Sequence, residues 1–185
     1  MQLEEGNMSE RRGFEQMWLA KLSGCLDEVA GEEIRKEVMA GTSDPSTAVV
    51  IQWTREAMER LEALAGEERS RSVMMGCACQ YPKSDLQEIK RTVQATGDLN
   101  LAHRMLQERF ETFLRDTLSL SEELVANVVQ RQYYCHCPRI RDVLKGGETI
   151  PVLYCYCGAG FYKGIWEEIL QKQSSGGVGK RAQRR

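Results

Sequence analysis

The sequence predicts an α+β fold: a helical N-terminal two thirds, then a small antiparallel sheet and a long helix at the C-terminal end, with the sheet incomplete. Three observations carry this. Apolar residues recur at steps of three and four from Phe14 onward, the mark of buried helix faces. Near Gln132 the pattern changes to aromatic and β-branched residues in alternation, in "QYYCHC" and "TIPVLYCYC". After Cys157 the helical period returns.

The elements follow in order. Phe14, Trp18, Leu22, Cys25 and Val29 form the first stripe, with Cys25 on it as a small core residue. A short helix over Glu32 to Met39 comes next. "GTSDPS" interrupts, and Asp44-Pro45 supplies a helix start whose inner stripe is Val50, Trp53, Ala57, Leu61 and Leu64. Ser84 caps a helix to about Thr96, and Asp98 caps the next. Leu99, Ala102, Leu106, Phe110 and Phe113 line that longer helix, which ends near Leu118, and Ser121 opens another through Arg131. His103 lies beside its apolar stripe and reads as a partly buried, hydrogen-bonded histidine. The last helix, from Gly158, packs through Phe161, Ile165, Trp166, Ile169 and Leu170.

Two strands make a marginal sheet, and the last helix lacks enough sheet to lie against. Either a second copy of the chain supplies strands, making a homo-oligomer, or strands are lost by truncation or a frame change near Lys172. One α+β domain is expected over 1–172, with a disordered basic tail over 173–185.

Charge and composition narrow the function classes. Net charge is −2, but the last fifteen residues hold five basic residues and no acid. The remainder therefore carries 20 basic against 27 acidic residues, a body charge of −7. Such a body argues against nucleic-acid binding. No apolar run approaches the roughly 20 residues of a membrane span, and the polar, acidic N-terminus is no secretory signal. A cytoplasmic protein is expected.

Seven cysteines in such a chain point to metal or reactive thiols rather than disulfides. Random scattering would give roughly a quarter of one i, i+2 pair. Three are present: Cys77 and Cys79, Cys135 and Cys137, and Cys155 and Cys157. In strands each pair would present both sulfurs on one face, with His136 and Tyr156 opposite. A hairpin turning at Gly146 would set Cys137 against Cys155 and Cys135 against Cys157, close enough to share one ion. Zinc is the leading expectation. An iron–sulfur cluster, dithiol redox chemistry and plain core packing are the alternatives.

Cys157 also stands where the last helix begins. Exposed N–H groups and the helix dipole lower a thiol's pKa there and hold an anion, so a small carboxylate ligand above Gly158 to Gly160 is a second expectation. Arg139, Arg141 and Asp142 read as loop surface, and Tyr162 and Lys163 as a solvated helix turn.

Together "CACQYPKSD", "YYCHCPRIRDV" and "CYCGAGFYKGIWEEIL" resemble an uncharacterised group of Cys-rich bacterial proteins. That group is distantly similar to 4-vinyl reductase-type small-molecule-binding domains and to L-2-amino-thiazoline-4-carboxylate hydrolases. The resemblance implies an α+β fold with a ligand or metal site near the cysteines. It also raises the alternative of a hydrolase acting on a small sulfur- or amide-containing heterocycle, with Cys157 or a metal-bound water as nucleophile. In those relatives strands with a Gly-Asp-Asp-x-Cys-like motif follow the last helix; here "QKQSSGGVGKRAQRR" stands in their place, and "VMAGTSDPST" lacks cysteines expected in nearer relatives.

Overall fold

A computed structural model of the chain describes residues 2–41, 47–112, 137, 139–140, 144 and 146–171. These residues are helical, and no strand occurs among them. The elements are α1 (Gln2–Val29), α2 (Glu32–Met39), α3 (Thr47–Ala65), α4 (Glu67–Gly76), α5 (Lys83–Thr96), α6 (Leu99–Thr112), a 3-10 turn (Val152–Cys155) and α7 (Tyr156–Leu170).

The α+β expectation is therefore overturned. "TIPVLYCYC" is not a strand: Val152–Cys155 winds as a 3-10 turn that runs directly into α7. Its buried residues Leu153, Tyr154 and Cys157 continue into Phe161, Ile165 and Ile169 at steps of three and four. That period belongs to a helix, and it overrides the β-rich composition of the segment. "QYYCHC" falls outside the described residues except for Cys137, as do the expected helix Ser121–Arg131, Phe113, and the basic tail. The face of α7 that was expected to need a sheet is covered by α4 and α5 instead. Among the described residues, α7 thus lies on helices where the sequence led to the expectation of a sheet.

Trp18, Leu22 and Leu26 bury the inner face of α1. Gly31, at φ +93°, ends it in a conformation that other residues resist. The short α2 carries Glu32 and Glu33 in its first turn, where they complement the helix dipole, and is tied down from α3. Trp53 Nε1 donates to Ala40 O at 2.8 Å, and Arg60 Nη2 donates to Val38 O and Ala40 O, each at 3.2 Å.

The expected stripe on α3 holds for Trp53, Ala57 and Leu61, while Leu64 faces solvent and Met58 and Ala65 take up the packing. Gly66, at φ +75°, then splits off α4. Ser70, fully buried, closes this corner by bonding Gly66 O at 2.7 Å and Leu61 O at 3.1 Å.

Asp98 caps α6 as expected, its Oδ1 accepting from the Leu101 N–H at 2.9 Å. Ala102, Leu106 and Phe110 bury the inner face of that helix. His103 is exposed rather than partly buried, stacked over Trp166 at 6.5 Å between ring centroids.

Two apolar clusters result. One joins α1–α4 to Cys137, Ile140, Leu153, Tyr154 and Cys157; the other joins α5, α6 and the body of α7. No helix among the described residues is long and apolar enough to cross a membrane.

Candidate functional site

A close approach of two helices creates the site. A Cβ built on Gly160 would stand 2.1 Å from Met75 O, so only glycine lets the first turns of α7 press onto the end of α4. Cys157 lies three residues earlier on the same face of α7, and Cys77 and Cys79 follow directly after α4. The Cys79 backbone amide favours the Cys157 thiolate across this contact, a small offset to the effect of burial.

Around it the thiols come within electrostatic range of one another. Cys157 is influenced by Cys137 and Cys79, Cys77 by Cys157, Cys25 and Cys79, and Cys79 by Cys137. Cys25 joins from α1, where its sulfur would be 3.0 Å from a Cβ placed on Gly76. It had been assigned to the core because it stands alone in sequence; only tertiary packing carries it to the other cysteines.

The Cys-x-Cys pairs do not act as units. Successive helical residues turn by about 100°, so i and i+2 face roughly opposite ways. Cys157 is accordingly buried and Cys155 exposed. Cys77 is fully buried, its thiol 3.3 Å from Met74 O, while Cys79 in the α4–α5 linker is half-buried. Cys135 lies outside the described residues, so the hairpin pairing of Cys135 with Cys157 has no described counterpart, and Cys155 is exposed, acting on the Cys157 thiol as the last of its causes.

Burial dominates the chemistry of these sulfurs. It pushes the Cys157 thiol up to about 12, with Cys137 as the next cause, and the Cys77 thiol further still, with Cys157 as its next cause. Burial also raises Cys79, Cys25 and the more open Cys155. The helix start at Cys157 was expected to lower its pKa; desolvation outweighs that field. At neutral pH these thiols are protonated, which disfavours Cys157 as an unaided nucleophile.

Gly158 and Gly160 separate as well. Gly158 has open space around its Cα, whereas Gly160 is filled by α4.

Beside the thiols stands a box that the sequence reading assigned to the surface. The Arg139 side chain, 1% exposed, lies 3.9 Å above the Trp18 ring and 5.8 Å from the rings of Trp53 and Tyr154. Its Nε and Nη2 donate to Glu15 at 2.7 and 2.9 Å. Burial opposes the guanidinium charge, but the Glu15 hydrogen bonds and charge outweigh it and hold the pKa above the ordinary arginine value. The Tyr154 hydroxyl is 3.6 Å from the Cys137 sulfur, and burial raises its pKa well above the usual range. On the α1 side, Lys21 Nζ donates to Ala78 O at 3.1 Å, putting a cation beside Cys79. Arg141 and Asp142 lie outside the described residues.

Among the described residues, no three His, Cys, Asp or Glu side chains stand close enough to hold one ion without rearrangement. The thiol group is a cluster of neighbours, not a formed coordination sphere.

Comparison with curated proteins and with solved structures returns no match. The likeness to 4-vinyl reductase-type domains and to the thiazoline carboxylate hydrolases thus finds no counterpart there. A family model described as a family of unknown function (DUF6144) matches residues 16–175, and the chain belongs to that family.

Proposed function

We propose that the chain binds a soft metal ion, zinc foremost, through thiolates drawn from Cys77, Cys79, Cys137 and Cys157. The observation that carries this reading is that sulfurs from three segments far apart in sequence neighbour one another behind α4 and α7. No histidine or carboxylate is needed, and sulfur-only donor sets suit zinc and other soft cations. Binding asks the sulfurs to converge. A change of χ1 rotamer moves a cysteine sulfur by about 3 Å, without helix movement. Cys135, two residues before Cys137, is a further donor in this proposal. Gly158, with open space beside it, is where a small ligand next to the thiols would approach, as the family resemblance implies.

Protonated thiols make the binding proton-coupled. A metal must displace each proton, so every thiolate recruited adds up to a tenfold gain in affinity per pH unit below the thiol's pKa. Lys21 beside Cys79 offsets part of the negative charge gathered by a multi-thiolate site.

The test is titration of the reduced, chelator-washed chain with zinc under anaerobic conditions, against a chromophoric competitor. One ion per chain is expected, with affinity rising from pH 6.5 to 8 and loss of at least tenfold in Cys137→Ser and in Cys157→Ser. Zinc binding that is absent, or unchanged in the double variant, refutes the reading. Iron with visible charge-transfer absorption in anaerobically purified chain would replace zinc by a cluster.

A further inference from the structure

We propose that the box around Arg139 binds a small neutral amide, whose carbonyl accepts from Arg139 Nη1 and Trp18 Nε1 and whose N–H donates to Glu15. Among the described residues these two nitrogens are buried donors without a hydrogen-bond partner. They belong to one place. The Arg139 guanidinium carbon lies 3.9 Å over the Trp18 ring. Adding a C–N bond and the reach of the indole nitrogen from its ring centre, the two nitrogens stand no more than about 8 Å apart. A carbonyl oxygen accepts two hydrogen bonds of about 2.9 Å each, so one oxygen serves both donors at any separation up to about 6 Å. A buried donor left unmade carries its full desolvation penalty, and an acceptor placed here relieves two such penalties at once.

Charge selects the class of ligand. Glu15 already neutralises Arg139 through Nε and Nη2. A carboxylate or phosphate would add an unpaired negative charge among Trp18, Trp53 and Tyr154, none more than 6% exposed. Burying such a charge costs far more than burying a dipole. A neutral carbonyl meets the two donors without that cost. Each Glu15 oxygen takes one bond from Arg139 and keeps a further lone pair, so a ligand with an N–H beside its carbonyl gains a third bond. That combination is an amide or a urea.

Access sets the size and the route. The Glu15 side chain is the member of the box nearest solvent, at 15% exposure, while the Arg139 side chain and the aromatic walls are closed. The ligand therefore enters beside Glu15, on α1, and is small. This site is separate from the metal reading. It meets the thiols only where the Tyr154 hydroxyl approaches the Cys137 sulfur at 3.6 Å, and no sulfur takes part in holding the amide.

The experiment follows the indole N–H resonances of the reduced, zinc-free, nitrogen-15-labelled full chain during titration with acetamide. The chain has three tryptophans, and Trp53→Phe and Trp166→Phe assign the signals. A ligand of four non-hydrogen atoms binds no tighter than about 0.04 mM, so the titration runs to about 100 mM. The Trp18 signal is expected to move downfield and saturate, while that of Trp53, which already donates to Ala40 O, stays in place. Arg139→Lys keeps a cation for Glu15 but loses the planar fork, and is expected to abolish the saturable shift. Thermal unfolding checks that this variant is folded. Where it is not, the wild-type chain decides through two further probes. Acetone lacks the N–H and acetate adds a charge, and each is expected to bind about threefold more weakly than acetamide, or worse. No saturable movement of Trp18, equal movement of all three indoles, a shift that survives in folded Arg139→Lys, or acetone or acetate binding as tightly as acetamide overturns the proposal. Because zinc is absent throughout, failure of the metal reading leaves this result untouched.

Discussion

Substituting Gly160 by alanine tests the contact on which the thiol cluster depends. The added methyl would lie 2.1 Å from Met75 O and 2.8 Å from both Met75 C and Met75 Cα. All three are backbone atoms, so no rotamer change relieves the overlap. To restore ordinary contact α7 must withdraw from α4 by about 1 Å, and a gap of that size forfeits a quarter to a half of the dispersion energy at each loosened contact. Overpacking of this kind costs about 1–3 kcal/mol, and the backbone clash puts Gly160→Ala at the upper end. Alanine's better helix propensity returns about 1 kcal/mol. The net expectation is about 2 kcal/mol of destabilisation, or about 4–8 °C in Tm for a chain of this size. Gly164→Ala is the matched control, because a Cβ there meets nothing within 4 Å. It is expected to gain about 0.5–1 kcal/mol from propensity alone. Calorimetry and urea unfolding of both variants give the comparison. If Gly160→Ala is as stable as wild type or as Gly164→Ala, the close approach of α7 to α4 is wrong.

Two further predictions concern charge. The folded chain holds Cys157 at about 12 and Cys77 higher, against an ordinary value near 9.0. Above pH 9 the unfolded chain loses thiol protons that the fold retains, so stability is full below pH 9 and falls as pH rises toward 12. The slope is about 1.4 kcal/mol per pH unit for each such thiol. Urea midpoints between pH 8 and 10.5 check this, and a flat profile contradicts the burial of these groups. In the box around Arg139, Glu15→Ala strands a buried guanidinium and is expected to cost about 3–5 kcal/mol, whereas Arg139→Met with Glu15→Leu removes both charges and costs far less. Equal losses in the two variants, measured by chemical denaturation, would show that the pair is not buried.

Much of the helical part was legible because it rests on local rules. The Trp18, Leu22 stripe, the Asp98 cap and the Phe161, Ile165, Ile169 face are all set by residues within a turn or two. The strand assignment failed where two local signals conflicted. Tyr-Cys alternation and β-branched neighbours suggested a sheet, yet Tyr154, Cys157, Phe161 and Ile165 already carried the helical period. The short apolar run before Cys157 could not be resolved by composition. Gly66 went unread as a boundary although it separates the apolar pattern of α3 from the polar run Glu67–Ser72. The clustering of cysteines was visible, but membership was not. Cys25 enters through a contact 51 residues away, and Cys155 parts from Cys157 in burial because the segment is helical. Arg139 reads as loop surface until Glu15, 124 residues earlier, meets it.

The helix α7 is common to both apolar clusters: Cys157 closes one and Phe161, Ile165 and Ile169 close the other. A ribosome makes this segment after every other described helix. Until residues up to about 170 have cleared the exit tunnel, α4 and α5 have no partner for the faces that α7 covers. Neither cluster can then reach its final packing, however early its own helices form. The nascent chain thus carries uncovered apolar surface through most of its synthesis, and acquires both cores in one late event. A pause in translation at any point before α7 has cleared the tunnel would lengthen that interval and expose the chain to chaperones or aggregation.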